Sequence, residues 1–232
     1  MTALILQARL DSSRLPGKSL LPLLGKPLVF RVMEALNFVE ADIRILACPE
    51  DCIQDFGPIA EEAGFLLVAG PKEDVLRRYC IAIQRVGADR VIRATGDNPF
   101  VFADAATAIN RESLDLKADY GAYQGLPVGA GVESVASEAL LRADREAETE
   151  SDREHVCPYL YAHPELFSLH RPLAPPAWQG AMHRITVDTQ EDYTRAMALY
   201  SQLGDAPVER YNGTCIIHAY QRLFSPPQEP EA

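Results

Sequence analysis

A short basic loop near the N-terminus carries the first side chains that could do chemistry. Residues 8–27 read ARLDSSRLPGKSLLPLLGKP, which places Arg9, Arg14 and Lys18 within ten positions. Guanidinium and ammonium groups donate charge-assisted hydrogen bonds to phosphate oxygens, so three cations this close suit a polyphosphate. A solvated basic loop is the alternative that these residues leave open when taken alone.

The GKS tripeptide at 17–19 resembles the end of an ATP-binding P-loop, but the rest of that motif is missing. A P-loop has a glycine five positions before the Gly-Lys pair, where this chain has Ser12. Its lysine also opens a helix that faces the phosphates. Lys18 is followed by SLLPLLGKP, and a proline inside a helix costs about 3 kcal/mol. We therefore expect no helix to begin at Lys18, and the P-loop hypothesis fails.

Two aspartates supply a possible counterpart to the cations. Asp97 follows an apolar run in RATGDNPFV (93–101), and Asp188 follows another in RITVDTQED (184–192). Each aspartate alone could be a helix N-cap. Two carboxylates at one sheet edge would suit Mg²⁺, which takes one or two carboxylates together with substrate phosphates. Cations and a metal around the same phosphates are the parts that nucleotidyl transfer needs.

The sequence around these residues alternates between two patterns of hydrophobic spacing, which predict the elements that must position them. Short apolar runs predict buried parallel strands, and stretches with three- and four-residue spacing predict helices. The predicted strands are 2–8, 43–48, 65–70 and 90–95, and the predicted helices are 28–39, 50–63 and 73–86. This alternation predicts an α/β sandwich with a mostly parallel sheet. Ligands of such sheets bind outside the carboxyl ends of the strands, where the basic loop and Asp97 would lie.

The alternation of predicted strands and helices breaks between residues 117 and 182. We interpret this region as an excursion from the sheet and not as a separate domain. Helices are expected at 137–148 and 154–162, a strand at 183–189, and a helix from 191 to about 203. We therefore predict one domain over 1–224. The proline-rich acidic residues 225–232 are expected to be a disordered tail.

Composition limits the class of protein. Hydrophobic residues make up 47% of the chain, as in globular proteins, and the net charge is −11. This acidic balance argues against a nucleic-acid surface, and the absence of a long apolar run argues against a membrane span or signal peptide. We expect a cytoplasmic protein. The five cysteines form no CxxC pair, so we expect reduced thiols and no structural zinc.

At this point the motifs resemble those of a known family. The segment LQARLDSSRLPGKSLLPLLGKPLVFRV resembles the N-terminal signature of the CMP-sugar synthetases, the cytidylyltransferases that activate Kdo and sialic acids. The similarity is greatest to their spore coat polysaccharide biosynthesis protein F branch. It continues in collinear order through GPKEDVLRRY, RATGDNPFV, GVESVASEALLRA, SDREHVCPYLYAHPELF and RITVDTQEDY.

The resemblance implies a GT-A-like nucleotide-diphospho-sugar transferase fold, a three-layer sandwich with the central excursion. It also implies CTP as substrate, Mg²⁺ as cofactor, and a homodimer built on that excursion. The residues implied to contact the nucleotide are Gln7, Ala8, Arg9, Ser13, Arg14, Lys18, Arg78 and Gly96. The implied catalytic residues are Arg14, Lys18, Asp97 and Asp188, with both aspartates as metal ligands. The implied acceptor-binding residues are Glu133, Arg153, Glu154 and His155, the last three also candidates for a dimer contact.

The implied reaction transfers CMP from CTP to a sugar acid or related acceptor, with release of pyrophosphate. One departure from the branch pattern is Gly131, which stands where relatives read aspartate in Asp-Val-Glu. This substitution keeps three alternatives open: a different acceptor, a weakened activity, or a non-catalytic binding paralogue. A GT-A glycosyltransferase that consumes a preformed nucleotide sugar is a fourth, although such enzymes usually carry an Asp-x-Asp motif that this chain lacks.

Overall fold

The structure, a computed structural model, describes residues 1–204 and 211–224. The strands in these ranges are β1 (Thr2–Gln7), β2 (Pro22–Leu23), β3 (Lys26–Pro27), β4 (Ile43–Pro49), β5 (Leu66–Gly70), β6 (Arg90–Thr95), β7 (Tyr120–Gly121), β8 (Glu133–Ala136) and β9 (Leu169–His170). The helices are α1 (Leu28–Leu36), α2 (Ile53–Ala63), α3 (Val75–Val86), α4 (Ala103–Asp115), α5 (Ser137–Glu146), α6 (Glu150–His155), α7 (Pro158–Ala162), α8 (Gln190–Leu203) and α9 (Gly213–Phe224). Within the described ranges, no helix is both long and apolar enough to cross a bilayer.

The central sheet is mostly parallel, as predicted. Within the described residues it has seven strands in the order β5-β4-β1-β6-β8-β7-β9. β1 pairs in parallel with β4 and β6, and β4 pairs in parallel with β5. β8 runs antiparallel to both β6 and β7. The carboxyl ends of β1, β4, β5 and β6 therefore meet at one edge, and the predicted excursion adds its strands beside β6.

Two hydrophobic cores cover the two faces of this sheet. Side chains of β1 alternate between them: Leu4 and Leu6 pack on one face, Ala3 and Ile5 on the other, and none of the four is exposed. The first core is completed by α1, α2, α4, α8 and α9, and the second by α3, α5 and α7. A central strand buried on both faces is apolar throughout, and helices on both faces make the expected three-layer sandwich.

The predicted strands and helices of the first hundred residues are confirmed, with shifts at their ends. α3 begins at Val75 because the Asp74 side chain caps it by accepting from the Arg77 amide at 2.9 Å. Residues 50–52 form a 3-10 turn before α2, and α1 ends at Leu36. The expectation that no helix begins at Lys18 was wrong in one respect: a single 3-10 turn spans Lys18–Leu20.

The predicted helix at 154–162 is two helices. α6 ends at His155, Val156 has φ +74°, and α7 starts at Pro158. A continuous helix would place the Pro158 ring against the carbonyl of residue 154 and would lose one backbone hydrogen bond. The proline is favourable at the first position of α7, because an amide at that position has no hydrogen-bond partner within the helix. The helix expected at 137–148 ends at Glu146, because Thr149, three residues later, is already the N-cap of α6.

The predicted strand at 183–189 does not form. Arg184 makes only an isolated bridge with Val128. Ile185 and Val187 are buried, but their amides donate to the carbonyls of Val128 and Asp97, at 2.9 and 2.8 Å. The apolar alternation therefore reflects burial of a loop segment against the first core. Residues 225–232, the expected tail, lie outside the described residues.

Candidate active site

The basic loop leaves β1 and folds back on itself. The Gly17 amide donates to the Leu10 carbonyl at 3.1 Å, and the Ser19 hydroxyl donates to the Arg9 carbonyl at 2.9 Å. Gly17 has φ +67°, a left-handed conformation that glycine adopts without a Cβ penalty. The chain then enters the 3-10 turn, which begins at Lys18 and holds this lysine beside the carboxyl end of the sheet.

The turn after β6 brings Asp97 to the same edge. A Cβ on Gly96 would lie 2.9 Å from the Ala8 Cβ and 3.0 Å from the Gln7 carbonyl oxygen. Only glycine therefore allows this turn to lie so close to β1. The Gly96 amide donates to the Gln7 carbonyl at 2.8 Å, and the Asp97 carbonyl accepts from the Val187 amide, which ties the segment before Asp188 to the turn.

The centre of the site is the Lys18 ammonium, which lies between the two aspartates. It donates to Asp97 Oδ2 at 3.0 Å, to Asp188 Oδ1 at 2.9 Å and to the Val187 carbonyl at 2.9 Å. The Lys18 side chain is 13% exposed. Side chains from three distant parts of the chain therefore meet at one point, and the cation touches both carboxylates directly.

Asp188 carries a concentration of positive charge around its carboxylate. Besides Lys18, Arg14 Nη2 lies 2.9 Å from Asp188 Oδ1, and Arg184 Nη2 lies 2.6 Å from Oδ2. Burial alone would raise the pKa of Asp188, but hydrogen bonds and charge from Lys18, with the charge of Arg14, lower this pKa overall. Arg14 is 62% exposed, so its guanidinium is open to a ligand in the crevice.

Neither aspartate is a helix cap. The N-cap of α8 is Thr189, whose side chain accepts from the Asp192 amide, while the Asp192 carboxylate accepts from the Thr189 amide. This capping box leaves Asp188 free to face the crevice. The helix after Asp97 begins only at Ala103, with Phe102 at its N-cap. The capping alternative is therefore wrong for both residues.

The donor set around the Lys18 ammonium fits a hard divalent cation. Asp97 and Asp188 each direct a carboxylate oxygen to this point, and Val187 adds a carbonyl oxygen. Mg²⁺ takes oxygen ligands of this kind and keeps water or phosphate oxygens in its remaining positions. Within residues 1–204 and 211–224, no group of three or more His, Cys, Asp or Glu side chains could hold a metal. A metal here would thus need substrate or water oxygens to complete its shell.

A cavity of about 300 Å³ surrounds this centre. It is lined by all the residues expected to contact the nucleotide and by Asp97 and Asp188. The lining residues that sequence reasoning did not propose are Ser12, Ser19, Val75, Arg93 and Thr95. Cations, carboxylates and backbone at the carboxyl ends of β1 and β6 thus enclose a space that could accept a nucleotide's phosphates.

A second cavity of about 360 Å³ adjoins the first and shares Arg93 and Thr95 with it. Glu133 lines this second cavity, where it accepts from Arg93 Nη1 and, at 2.7 Å, from the Tyr120 hydroxyl. Burial and the Glu133 charge raise the pKa of Tyr120 far above its usual value, so this phenol stays a donor. Gly131 also lines the cavity, so an aspartate at this position, as the resemblance led us to expect, would lie here.

The other three expected acceptor residues divide between two places. Glu154 and His155 line the first cavity, and Glu154 Oε1 lies 3.4 Å from Arg9 Nη2. Arg153 lines neither cavity and instead joins α6 to its neighbours through Asp74 and Asp144, at 2.6 and 2.7 Å. Arg153 thus forms ion pairs between neighbouring elements in this structure.

Sequence reasoning missed two arginines of the site. Arg93 stands in the middle of β6, whose neighbours Ile92 and Ala94 are buried; a charged side chain inside an apolar strand was the available signal. Arg184 had a weaker signal, because its contact with Asp188 depends on a segment that was expected to be a strand.

The fold and the crevice together define a nucleotide-binding α/β enzyme, and comparison with known proteins identifies its family. A model of the cytidylyltransferase family matches residues 3–222, so the chain belongs to the cytidylyltransferases. It is 33% identical over 212 residues to the spore coat polysaccharide biosynthesis protein SpsF of Bacillus subtilis (strain 168), covering 88% of each chain. A 3-deoxy-manno-octulosonate cytidylyltransferase of Francisella tularensis is 32% identical over 103 residues, covering 42% of this chain and 40% of that protein.

Solved structures share the fold. A cytidylyltransferase from Leptospira borgpetersenii superposes with a TM-score of 0.86 at 22% identity, covering 96% of this chain and 94% of that one. A CMP:2-keto-3-deoxy-manno-octonic acid synthetase complexed with CTP gives a TM-score of 0.68 at 17% identity, covering 87% and 98%. These similarities confirm the nucleotide-sugar transferase fold expected from the motifs.

Proposed function

We propose that this cytidylyltransferase transfers CMP from CTP to a hydroxyl of a sugar acid or related acceptor, with release of pyrophosphate and with Mg²⁺ as its metal. The observation that carries the proposal is the crevice in which Arg14 and Lys18 meet Asp97 and Asp188. Relatives named for 3-deoxy-manno-octulosonate and for spore coat polysaccharide synthesis support the acceptor class.

In this reaction the acceptor oxygen attacks the α-phosphorus of CTP. A new oxygen–phosphorus bond forms, the bond from the α-phosphorus to the bridging oxygen breaks, and pyrophosphate leaves with that electron pair. The hydroxyl proton passes to solvent or to a nearby base. Arg14 and Lys18 donate to the phosphate oxygens on which charge accumulates, and each charge-assisted hydrogen bond contributes about 1.5–3 kcal/mol.

Asp97 and Asp188 are the residues that would hold Mg²⁺, and the ion when bound neutralises negative charge on phosphate oxygens. Lys18 must then release at least one carboxylate, which frees its ammonium for a phosphate oxygen. Lys18 would therefore change partners when the substrate and metal arrive together.

We also propose that the protein is a homodimer built on residues 117–182. Two apolar side chains of that region are strongly exposed: Leu173 at 66% and Met182 at 93%. Burying such side chains between copies is favourable. Light scattering after size-exclusion chromatography should give twice the chain mass, and a monomer at micromolar concentration would contradict the dimer.

A pyrophosphate-release assay tests the function directly. It crosses CTP, UTP, ATP and GTP with a panel of sugar acids, phosphonates and other acceptors, with and without Mg²⁺. We expect release only with CTP, Mg²⁺ and an acidic sugar. Asp97→Asn should reduce turnover at least about a hundredfold with little change in melting temperature. Asp115→Asn, at an exposed position of α4, is the matched control and should match wild type. Equal losses of turnover and folding in Asp97→Asn would count against the assigned role.

A further inference from the structure

The carboxylate of Asp188 divides its two oxygens between different neighbours. Oδ1 has Lys18 Nζ and Arg14 Nη2 beside it, each at 2.9 Å. Oδ2 accepts from Arg184 Nη2 at 2.6 Å, and among the described residues no other group donates to it. Lys18 and Arg14 line the 300 Å³ cavity, whereas Arg184 does not. The cations of the crevice therefore hold one oxygen, and an arginine outside the crevice holds the other.

Arg184 is itself held by a second carboxylate, that of Asp192 in the first turn of α8. Arg184 Nε donates to Asp192 Oδ1 at 3.1 Å, and Nη2 lies 3.4 Å from Asp192 Oδ2. Asp192 is only 5% exposed, and its Oδ2 also accepts from the amides of Asp188 and Thr189, each at 3.1 Å. The guanidinium is a rigid planar fork. Its bridge between the two carboxylates therefore fixes the Asp188 side chain to the start of α8.

Substrate binding would act differently on the two oxygens of Asp188. In the proposed function Lys18 and Arg14 donate to phosphate oxygens, so both can leave Oδ1 when CTP enters the cavity. Arg184 lies outside that cavity, and the buried carboxylate of Asp192 keeps it in place. Oδ2 therefore stays occupied while Oδ1 becomes available, and Asp188 has one oxygen to offer to a metal ion.

We propose that Arg184 is a positioning residue that restricts Asp188 to one metal-binding oxygen and so makes the site favour Mg²⁺ over Ca²⁺, a proposal that rests on the metal-dependent function above. Mg²⁺ is small, requires a nearly octahedral arrangement, and is held through one or two carboxylates with water and substrate phosphates. Ca²⁺ takes about six to eight oxygen ligands and accepts both oxygens of one carboxylate. A carboxylate with a single free oxygen meets the need of Mg²⁺ and withholds a ligand that Ca²⁺ would use.

A purely structural role for Arg184 would have different consequences. If the arginine only tied residues 184–188 to α8, its loss would lower the stability of the protein and weaken nucleotide binding equally with either ion. If it restricts Asp188, its loss frees Oδ2 and changes the two ions differently. The preference between Mg²⁺ and Ca²⁺ therefore separates the two roles, and a measurement of binding shows it without any turnover.

The test is the ratio of the CTP dissociation constants in saturating Ca²⁺ and in saturating Mg²⁺, measured by calorimetry without acceptor. Wild type should bind CTP at least about tenfold more tightly with Mg²⁺. In Arg184→Gln the amide nitrogen takes the place of Nε and can still donate to Asp192, but nothing replaces Nη2 at Asp188. This variant should lower the ratio about tenfold, as for one charge-assisted interaction. Arg184→Lys keeps a cation within reach of Oδ2, so its ratio should stay closer to that of wild type.

Arg195→Gln is the matched control, because Arg195 also pairs with Asp192, at 3.0 Å, but makes no contact with Asp188. Its ratio should equal that of wild type. Melting temperatures are measured for every variant, and if Arg184→Gln folds poorly, Arg184→Met decides in its place.

An unchanged ratio in Arg184→Gln overturns the proposal, because CTP binding would then have weakened equally with both ions. An equal fall in Arg195→Gln also overturns it, since the effect would then come from the charge around Asp192. A wild type that binds CTP equally well with Ca²⁺ and Mg²⁺ overturns the ion preference alone. A wild type that binds CTP with neither ion contradicts the proposed function as well.

Discussion

At the scale of single residues, the site is held together by an ammonium between two carboxylates. Two negative groups this close repel each other unless a cation lies between them. Lys18 supplies that charge, at 3.0 Å from Asp97 and 2.9 Å from Asp188. The protein can therefore keep both carboxylates close together before a metal arrives, which fixes their positions in advance.

Removing the ammonium should make the carboxylates a stronger metal site in the free protein. We expect Mg²⁺ to raise the melting temperature of Lys18→Ala clearly more than that of wild type, because the two carboxylates then lack a counter-ion. At about a hundred times its dissociation constant, a bound ion stabilises by about 2.7 kcal/mol. Scanning calorimetry across a Mg²⁺ series measures the effect.

The double variant Lys18→Ala with Asp97→Asn is the control for that measurement. It keeps only one ionised carboxylate at this point, so the response to Mg²⁺ should return to the wild-type level. An equal response in wild type and Lys18→Ala would show that the ammonium does not hold the metal position.

Removing one partner of the Arg93–Glu133 pair should destabilise the protein strongly. Both side chains are mostly buried, at 14% and 19% exposure, and removing one partner of such a pair costs about 3–5 kcal/mol. We expect Glu133→Leu to lose about that much in denaturant unfolding, because the Arg93 charge is left without a partner. The double variant Arg93→Leu with Glu133→Leu should recover part of it. A loss under about 1 kcal/mol in Glu133→Leu would contradict this role.

At the scale of elements, close approach of two strand ends positions Asp97. Gly96→Ala places a Cβ 2.9 Å from the Ala8 Cβ, so the turn must move away from β1 and carry Asp97 with it. We expect pyrophosphate release to fall at least about tenfold, since small displacements of catalytic groups have large effects.

Gly57→Ala gives the matched control for this substitution. Gly57 lies inside α2 with no atom within 4 Å of the added Cβ, and alanine is the better helix former by about 1 kcal/mol. Its activity should equal wild type while its stability rises slightly. Full activity in Gly96→Ala would show that the turn does not position Asp97.

Local periodicity predicted the elements that pack as regular layers. β1, β4, β5 and β6 came within one residue of their predicted ends, because each is a buried apolar run with turn residues at its boundaries. The same reasoning was wrong for residues 184–188, which form a loop and not a strand. Ile185 and Val187 alternate inward as strand residues do, but their amides bond to a loop and a turn. Sequence periodicity reports burial, and it cannot report which backbone groups pair.

The residues expected to contact the nucleotide lie together, although their roles stay predictions. Every expected nucleotide contact lines one cavity, because the carboxyl ends of neighbouring parallel strands must share an edge. The direct contact of Lys18 with both aspartates was not expected, since the sequence indicated only that the cations and the aspartates lie around the same phosphates. Arg153 joins α6 to Asp74 and Asp144, and only the packing of α6 on α3 could reveal that contact.

At the scale of the whole molecule, an acidic chain of net charge −11 concentrates cations in one crevice. We expect the surrounding negative charge to disfavour nucleic acid, and the local cations to favour a single polyphosphate. The expected single domain over 1–224 stays a prediction, although the strands of the excursion join the same sheet as β1. This chain lacks the Asp-x-Asp motif that GT-A glycosyltransferases usually carry. Its membership of the cytidylyltransferase family therefore favours nucleotidyl transfer over that alternative.

The two cores should also protect the thiols. All five cysteines are free, and four are buried, with Cys215 the exception. Burial raises the pKa of Cys48 to about 11 and that of Cys80 to about 12. Because the thiolate is the reactive form, these buried thiols should react slowly at pH 8. Ellman's reagent should therefore label only Cys215 rapidly at pH 8, and labelling of buried thiols should increase as the pH approaches their pKa.

Unfolding in guanidinium chloride is the reference for that count, because all five thiols then react. Cys215→Ser should remove nearly all rapid labelling of the native protein. Rapid reaction of several thiols in native Cys215→Ser would contradict the burial of the four core cysteines.

The most direct measurement of the crevice is a calorimetric titration of wild type and Lys18→Ala with CTP in the presence of Mg²⁺. We expect wild type to bind one CTP per chain, and Lys18→Ala to bind it about ten- to a hundredfold more weakly, as the loss of a charge-assisted hydrogen bond requires. A wild type that does not bind CTP, or a variant that binds it equally well, would contradict the assignment of this crevice to the nucleotide triphosphate.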